Sequence, residues 1–205
     1  GVPLCVTPPS GLVSWWRGEA NTSDQAGTNN GTLAGNTTYG TGRVGQGFVF
    51  DGGGDAVLVG NQTSLQLQDF TIEAWIKRTS ATVASFDFNG GVIFGCGYGG
   101  YVFAMQDNGT LFLGRVGIDV VFANSTITDT NLHHVAVTKI GSVVVFYLDG
   151  VANAVPAYTT TYTFDSAAGI GARGDNSANS FFGTIDELAV YNRPLSAGEI
   201  QGIHS

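Results

Sequence analysis

The chain has 205 residues, 31 of them glycine, with 12% charged and 11% aromatic side chains and a net charge of −8. Sparse charge with abundant Gly and aromatics argues against a helical protein and for short strands joined by tight turns. The acidic balance leaves no basic footprint for nucleic acid, and no apolar run approaches the ~18–20 residues that a spanning helix needs.

In chain order, residues 1–10 read as a Pro-containing lead-in. Leu12-Val-Ser-Trp15-Trp16 reads as a first strand; its adjacent tryptophans must point to opposite faces, so one of them leaves the core. Glu19 to Thr32 is a polar loop carrying Asp24 and an Asn30-Gly31 turn. Phe48-Val-Phe50 and Ala56-Val-Leu-Val59 follow as strands around a Gly-rich turn, and Phe70-Thr-Ile-Glu73-Ala-Trp75-Ile-Lys77 alternates with period two. Further strands are expected at 91–96, 101–105, 110–115 and 118–122, then a pair at 133–139 and 143–151 ending on Asp149-Gly150, a turn signal. The chain closes with an alternating strand through Phe182–Tyr191. Asn192-Arg193-Pro194 breaks it, because Pro cannot donate to a ladder. Ser196 with Glu199 three residues on spells a capping box, so a short helix begins there. About a dozen strands, one helical turn and no internal repeat describe a single all-β domain over 1–205: a two-sheet antiparallel sandwich.

Several of these runs together resemble one family. Ile185-Asp186-Glu187-Leu-Ala-Val-Tyr191-Asn-Arg-Pro-Leu-Ser, the Leu-Val-Ser-Trp-Trp opening, Asn29-Asn-Gly-Thr-Leu33, Phe48-Val-Phe-Asp-Gly52, Phe70-Thr-Ile-Glu-Ala-Trp75 and His133-His-Val-Ala-Val137 are similar to the motifs of LamG-like jelly-roll domains, of the concanavalin A-like superfamily. The resemblance spans nearly the whole chain. It implies a jelly roll whose ligands are glycans or proteins, and a non-catalytic, carbohydrate-binding module of a longer secreted protein. The opening Gly1-Val-Pro-Leu4 reads as a trimmed start and fits that expectation. A protein–protein adhesion or spacer module is the alternative reading, and a polysaccharide-cleaving enzyme a third.

The resemblance also implies a structural calcium ion between the first loop and the last strand, with Glu19, Asp24, Asn30 and Asp186 as the matching ligands. Calcium takes six to eight oxygens from carboxylates and bent backbone, and Asp186, set in an apolar strand, needs a partner in any case. For the sugar, the concave face and its rim are the place to look, because saccharide sites pair aromatic platforms with convergent polar groups. The stretch 85–101 supplies Asp87, Asn89, Tyr98 and Tyr101. The loop 173–181 supplies Arg173, Asp175, Asn176 and Asn179. If both lie on one rim they form a shallow site.

Cys5 and Cys96 lack the spacing of a metal or redox motif and in an oxidising compartment are expected to bridge, closing a loop worth roughly 4–5 kcal/mol. Asp186 and Glu187 are adjacent and so are expected on opposite faces. With no second acid two residues from Glu73, nothing along one strand makes the carboxylate pair of a glycosidase. His134 is expected to be structural. Arg173-Gly-Asp175 spells an integrin-type tripeptide that chance alone readily produces, and six Asn-X-Ser/Thr sequons occur, at Asn21, Asn30, Asn36, Asn61, Asn108 and Asn124.

Overall fold

The computed structural model describes residues 7–87 and 90–205. Among them the strands run, in chain order, β1 Leu12–Trp16, β2 Thr32–Ala34, β3 Thr38–Thr41, β4 Gln46–Asp51 and β5 Ala56–Gly60. Then come β6 Phe70–Arg78, β7 Gly91–Gly95, β8 Tyr101–Met105, β9 Thr110–Arg115 and β10 Asp119–Thr126. The last are β11 Leu132–Ile140, β12 Val143–Leu148, β13 Val151–Ala154, β14 Ala168–Ile170 and β15 Phe182–Tyr191, followed by helix α1, Ala197–His204. The period-two runs of the sequence are all strands. Four short strands, β2, β3, β13 and β14, carry no such signal, because they are too brief to show alternation.

The strands form two antiparallel sheets, the sandwich expected. One has the order β13-β12-β11-β6-β15-β4-β3, with β1 added beside β15; the other is β10-β9-β8-β7-β14-β5-β2. The core lies between them. On β6, Phe70, Ile72, Ala74 and Ile76 enter it, while Glu73 and Trp75 take the outer face. Trp16 is fully buried against Phe94 and donates Nε1 to the Asn29 carbonyl, whereas Trp15 lies on the outer face, half-buried. α1 covers that outer face with Ile200 and Ile203, and its capping box forms as expected, Ser196 Oγ accepting from Glu199 N while Glu199 Oε2 accepts from Ser196 N.

One local feature departs from simple alternation. The register of β15 against β6 shifts between Asp186 and Ala189, and Glu187 has φ +52°. This is a β-bulge, which places one extra residue on the strand. Ile185 and Leu188 both point into the core, so the two residues between them, Asp186 and Glu187, share the outer face instead of facing apart. Asp186 Oδ2 accepts from the backbone amides of Arg43 and Val44, at 2.6 and 3.0 Å. Glu187 Oε2 accepts from Trp15 Nε1 at 2.6 Å, and its Oε1 lies 3.5 Å from Arg17 Nε.

The bulge has an electrostatic cost. Burial pushes the Asp186 carboxyl up to about 6, against the pull of the two amides, and the Glu19 charge pushes the same way. Burial pushes Glu187 up to about 7, the Asp186 charge adds to it, and Trp15 and Arg17 oppose it. Both folded-state values lie above those of an unfolded chain, so the folded protein holds protons that the unfolded one releases. The stabilisation is present at low pH and is lost as pH rises through about 6 and 7. The protein is therefore expected to melt at a higher temperature at pH 5 than at pH 8. Glu187→Gln, which keeps an acceptor for Trp15, should stabilise it at pH 8 by on the order of 2 kcal/mol and flatten that profile. A pH 5–8 profile that is the same in wild type and variant would contradict this account.

Candidate functional site

The two stretches singled out in the sequence do meet. Asn179 N donates to Asp87 Oδ2 at 2.7 Å and its Nδ2 donates to the Gly90 carbonyl, while Val92 N donates to the Asn179 carbonyl. Arg173 bridges to Gly95, and Asp175 Oδ2 accepts weakly from Tyr98 N at 3.4 Å. A Cβ on Gly97 would collide with the Asp175 side chain, so the glycine lets the two loops close on each other. Left-handed backbone at Ser177 and Asn179 turns the second loop back onto the sheet.

Between this loop and the β9–β10 hairpin is a hollow of about 350 Å³. Its floor is apolar: Val92, Val102 and Phe112 on the outer face of β7, β8 and β9, with Gly114 leaving space between. Val116–Val120 forms one wall, and Arg173 with Asn179 the other. Tyr98, 64% exposed, stands over Gly117 at the edge of the hollow. Phe122 lies 5.9 Å from Phe112 and is 40% exposed, extending the apolar surface along β10. An apolar floor with a few convergent polar groups is the usual composition of a small-ligand site.

Not every expected residue takes part. Tyr101 does not: it is fully buried in the core, its ring tilted against Phe70 and Phe94, and its hydroxyl donates to the Leu65 carbonyl. It begins β8 on the inward-facing register, while Tyr98 precedes the strand in a turn. Asn176 is exposed and accepts from Ala178 N, which shapes the loop. Asn89 lies outside the described residues. The Arg173-Gly-Asp175 tripeptide is closed on itself: Arg173 Nη2 donates to Asp175 Oδ2 at 2.7 Å, which uses one of the five guanidinium donors.

The side chains expected to hold calcium are placed as follows. Asp24 spends both oxygens on backbone amides of its own loop and of β1, Oδ1 accepting from Trp15, Ala26 and Gly27 and Oδ2 from Asn29. Asn30 Oδ1 accepts from Asp24 N. Glu19 Oε2 accepts from Gln46 N at 3.3 Å, and Glu19 pairs with Arg17 at 3.8 Å. Of the four, Asp186 has an oxygen to spare, a buried Oδ1 with no hydrogen-bond partner among the described residues. Among the described residues no three His, Cys, Asp or Glu side chains come together as a metal site. Asp24 and Asn30 thus spend their side-chain oxygens on backbone amides, whereas Asp186 keeps one free. Asp24 acts as a loop staple, and its amide partners hold the carboxyl below the usual range despite its burial.

Of the cysteines, Cys96 is a free, buried thiol, and burial pushes it up to about 12. Cys5, its expected partner, lies outside the described residues. His134 is structural as expected: it is fully buried, with Nε2 3.0 Å from Glu73 Oε2.

Asp24→Ala leaves four backbone amides short of an acceptor. It should cost about 2–4 kcal/mol in urea unfolding, and the loss should be the same in calcium as in chelator. A loss that appears only in calcium would show that Asp24 is a ligand after all.

No curated protein matches the chain. Among solved structures it is similar to domain 4 of AbnA, a GH43 extracellular arabinanase from Geobacillus stearothermophilus solved with arabinotriose: TM-score 0.73, 16% identity, 95% of this chain and 98% of that one. It is also similar to part of Trypanosoma rangeli sialidase, at TM-score 0.70 and 18% identity, over 98% of this chain but 33% of the sialidase. The binding domain of Paraclostridial Mosquitocidal Protein 1 gives TM-score 0.68 and 14% identity, over 95% of this chain and 52% of that one. At these identities the likeness is one of fold. A family model, Laminin_G_3, matches residues 51–201, well over half of the sequence, and by it the chain belongs to the concanavalin A-like lectin/glucanases superfamily.

Proposed function

We propose that this protein is a non-catalytic carbohydrate-binding module that acts outside the cell, and that the hollow beside Tyr98 is its glycan site. The observation that carries the reading is the meeting of an exposed aromatic with an apolar floor and a polar wall. The Tyr98 ring offers a stacking platform at the rim, Val102 and Phe112 suit the C–H face of a sugar ring, and Arg173 and Asn179 line the opposite wall. Tyr is well suited to this, presenting an apolar body with a polar tip. The fold likeness to a domain solved with arabinotriose supports a saccharide as ligand, and the extracellular arabinanase that contains that domain supports the location.

A binding role also agrees with the charges of the hollow. Asp119 is the only carboxylate among its lining residues, and its Oδ1 accepts from the Tyr158 hydroxyl. A glycosidase needs two carboxyl groups flanking the bond it breaks, and the hollow does not offer them.

A panel of plant, bacterial and animal polysaccharides, screened with the intact protein, tests the proposal. At least one glycan should bind. Tyr98→Ala and Arg173→Ala should each weaken it about tenfold, a loss of about 1.4 kcal/mol, with melting curves close to wild type. Binding that survives both substitutions unchanged would move the site elsewhere. Silence across the panel would remove the function.

A further inference from the structure

The opposite sheet carries a second hollow, also about 350 Å³, on the outer face that α1 only partly covers. Its origin is a single small side chain. Ala189 on β15 pairs with Trp15 on β1 and with Glu73 on β6, so these three outward residues stand in one row across three strands. The methyl group of Ala189 leaves a gap between the indole and the carboxylate. The bulge then turns Glu187 onto the same face beside them, and Trp75 and Tyr191 complete the wall.

The polar groups in this hollow have unused capacity. Glu73 is 4% exposed; Oε2 is taken by His134 Nε2, and Oε1 accepts no hydrogen bond from the described residues. That oxygen is not among the buried polar atoms without a partner, so it is open to a donor that enters the hollow. Glu187 is anchored by Trp15 Nε1 and faces Arg17, which is itself divided between Glu19 and Glu187. The indoles already attract cations: the Arg17 guanidinium lies 5.4 Å from the Trp15 ring and that of Arg43 lies 4.4 Å from Trp75. An anion would meet two carboxylates here, and a purely apolar ligand would offer no donor to Glu73 Oε1. A compact ammonium group satisfies both, donating to the carboxylates while the aromatic wall receives the body that carries it.

We propose that the hollow above Ala189 is a second ligand site, separate from the glycan hollow on the other sheet, and that it takes a protonated amine carried on a ring. Amino sugars and simple cyclic amines share this chemistry, and the test separates them. D-glucosamine, cyclohexylamine, D-glucose and cyclohexanol are titrated into the full chain at pH 7, where both amines carry a proton, and the three indole N–H resonances are followed by NMR.

The amines should shift Trp15 and Trp75 in a saturable way and leave Trp16, sealed in the core, unmoved. The neutral rings should bind at least tenfold more weakly. A response to glucosamine alone identifies an amino sugar as the ligand, and a response to both amines shows that the ammonium suffices. Ala189→Leu, which fills the gap without changing any charge, should abolish the response. Glu187→Gln should weaken it about tenfold and guards against poor folding of the first variant. Equal binding of glucose or cyclohexanol would overturn the proposal. So would the absence of any amine response, or an Ala189→Leu protein that responds like wild type.

Discussion

Strand β15 is hydrogen-bonded along both edges, to β6 on one side and on the other first to β4 and then to β1. One ten-residue segment thus joins the first strand of the chain, a hairpin near it and the central strand of the sheet. The switch of partner falls where the register slips, at Asp186 and Glu187. Most of what is unusual about this molecule follows from that slip. Two carboxylates are brought onto one face, a loop amide pair is recruited by Asp186, and Trp15 is held over the sheet by Glu187. A non-glycine residue at positive φ is strained by roughly 1–2 kcal/mol, and the hydrogen bonds made by the bulged residues offset it.

The other sheet solves a different problem. Its outer face, in β7 to β9, is lined by Val92, Val102 and Ala104, which would be an exposed apolar patch if left bare. Asp87 and the turn at Gly97-Tyr98 meet the 173–179 loop at its edge, held by Asn179 and Asp175, and the hollow lies beside them. A concave apolar surface with a few polar groups at its wall is where a protein commonly meets a ligand. The two sheets therefore present different chemistry outward: an apolar floor beside an arginine on one, and a carboxylate-lined aromatic pocket on the other.

How much of this is legible in the sequence depends on range along the chain. Strands such as Phe70–Lys77 and the helix at Ser196 are readable because alternation and capping are local properties. The opposite orientations of Trp15 and Trp16 follow from the same periodicity. The bulge has no such signal: Asp186-Glu187 looks like any alternating pair, and only the pairing of β15 with its neighbours shifts it. The same limit affects Tyr101, three residues from Tyr98, since being inside β8 instead of before it decides burial. Asp24 and Asn30 resemble metal ligands in the sequence because oxygens that could hold a metal serve backbone amides equally well. Composition suggests that 85–101 and 173–181 could share a rim, but only the pairing of β7 and β14 brings them together. The hollow at Ala189 is out of reach, because it depends on one small side chain standing in a row across three strands.

The central claim is that a glycan occupies the hollow beside Tyr98. Mapping backbone amide shifts over the whole chain, with a bound oligosaccharide, tests it most directly. The account predicts that the perturbed amides cluster at 97–99, 112–120 and 173–179. Perturbations confined to β1, β6 and β15, or spread evenly over the surface, would contradict it.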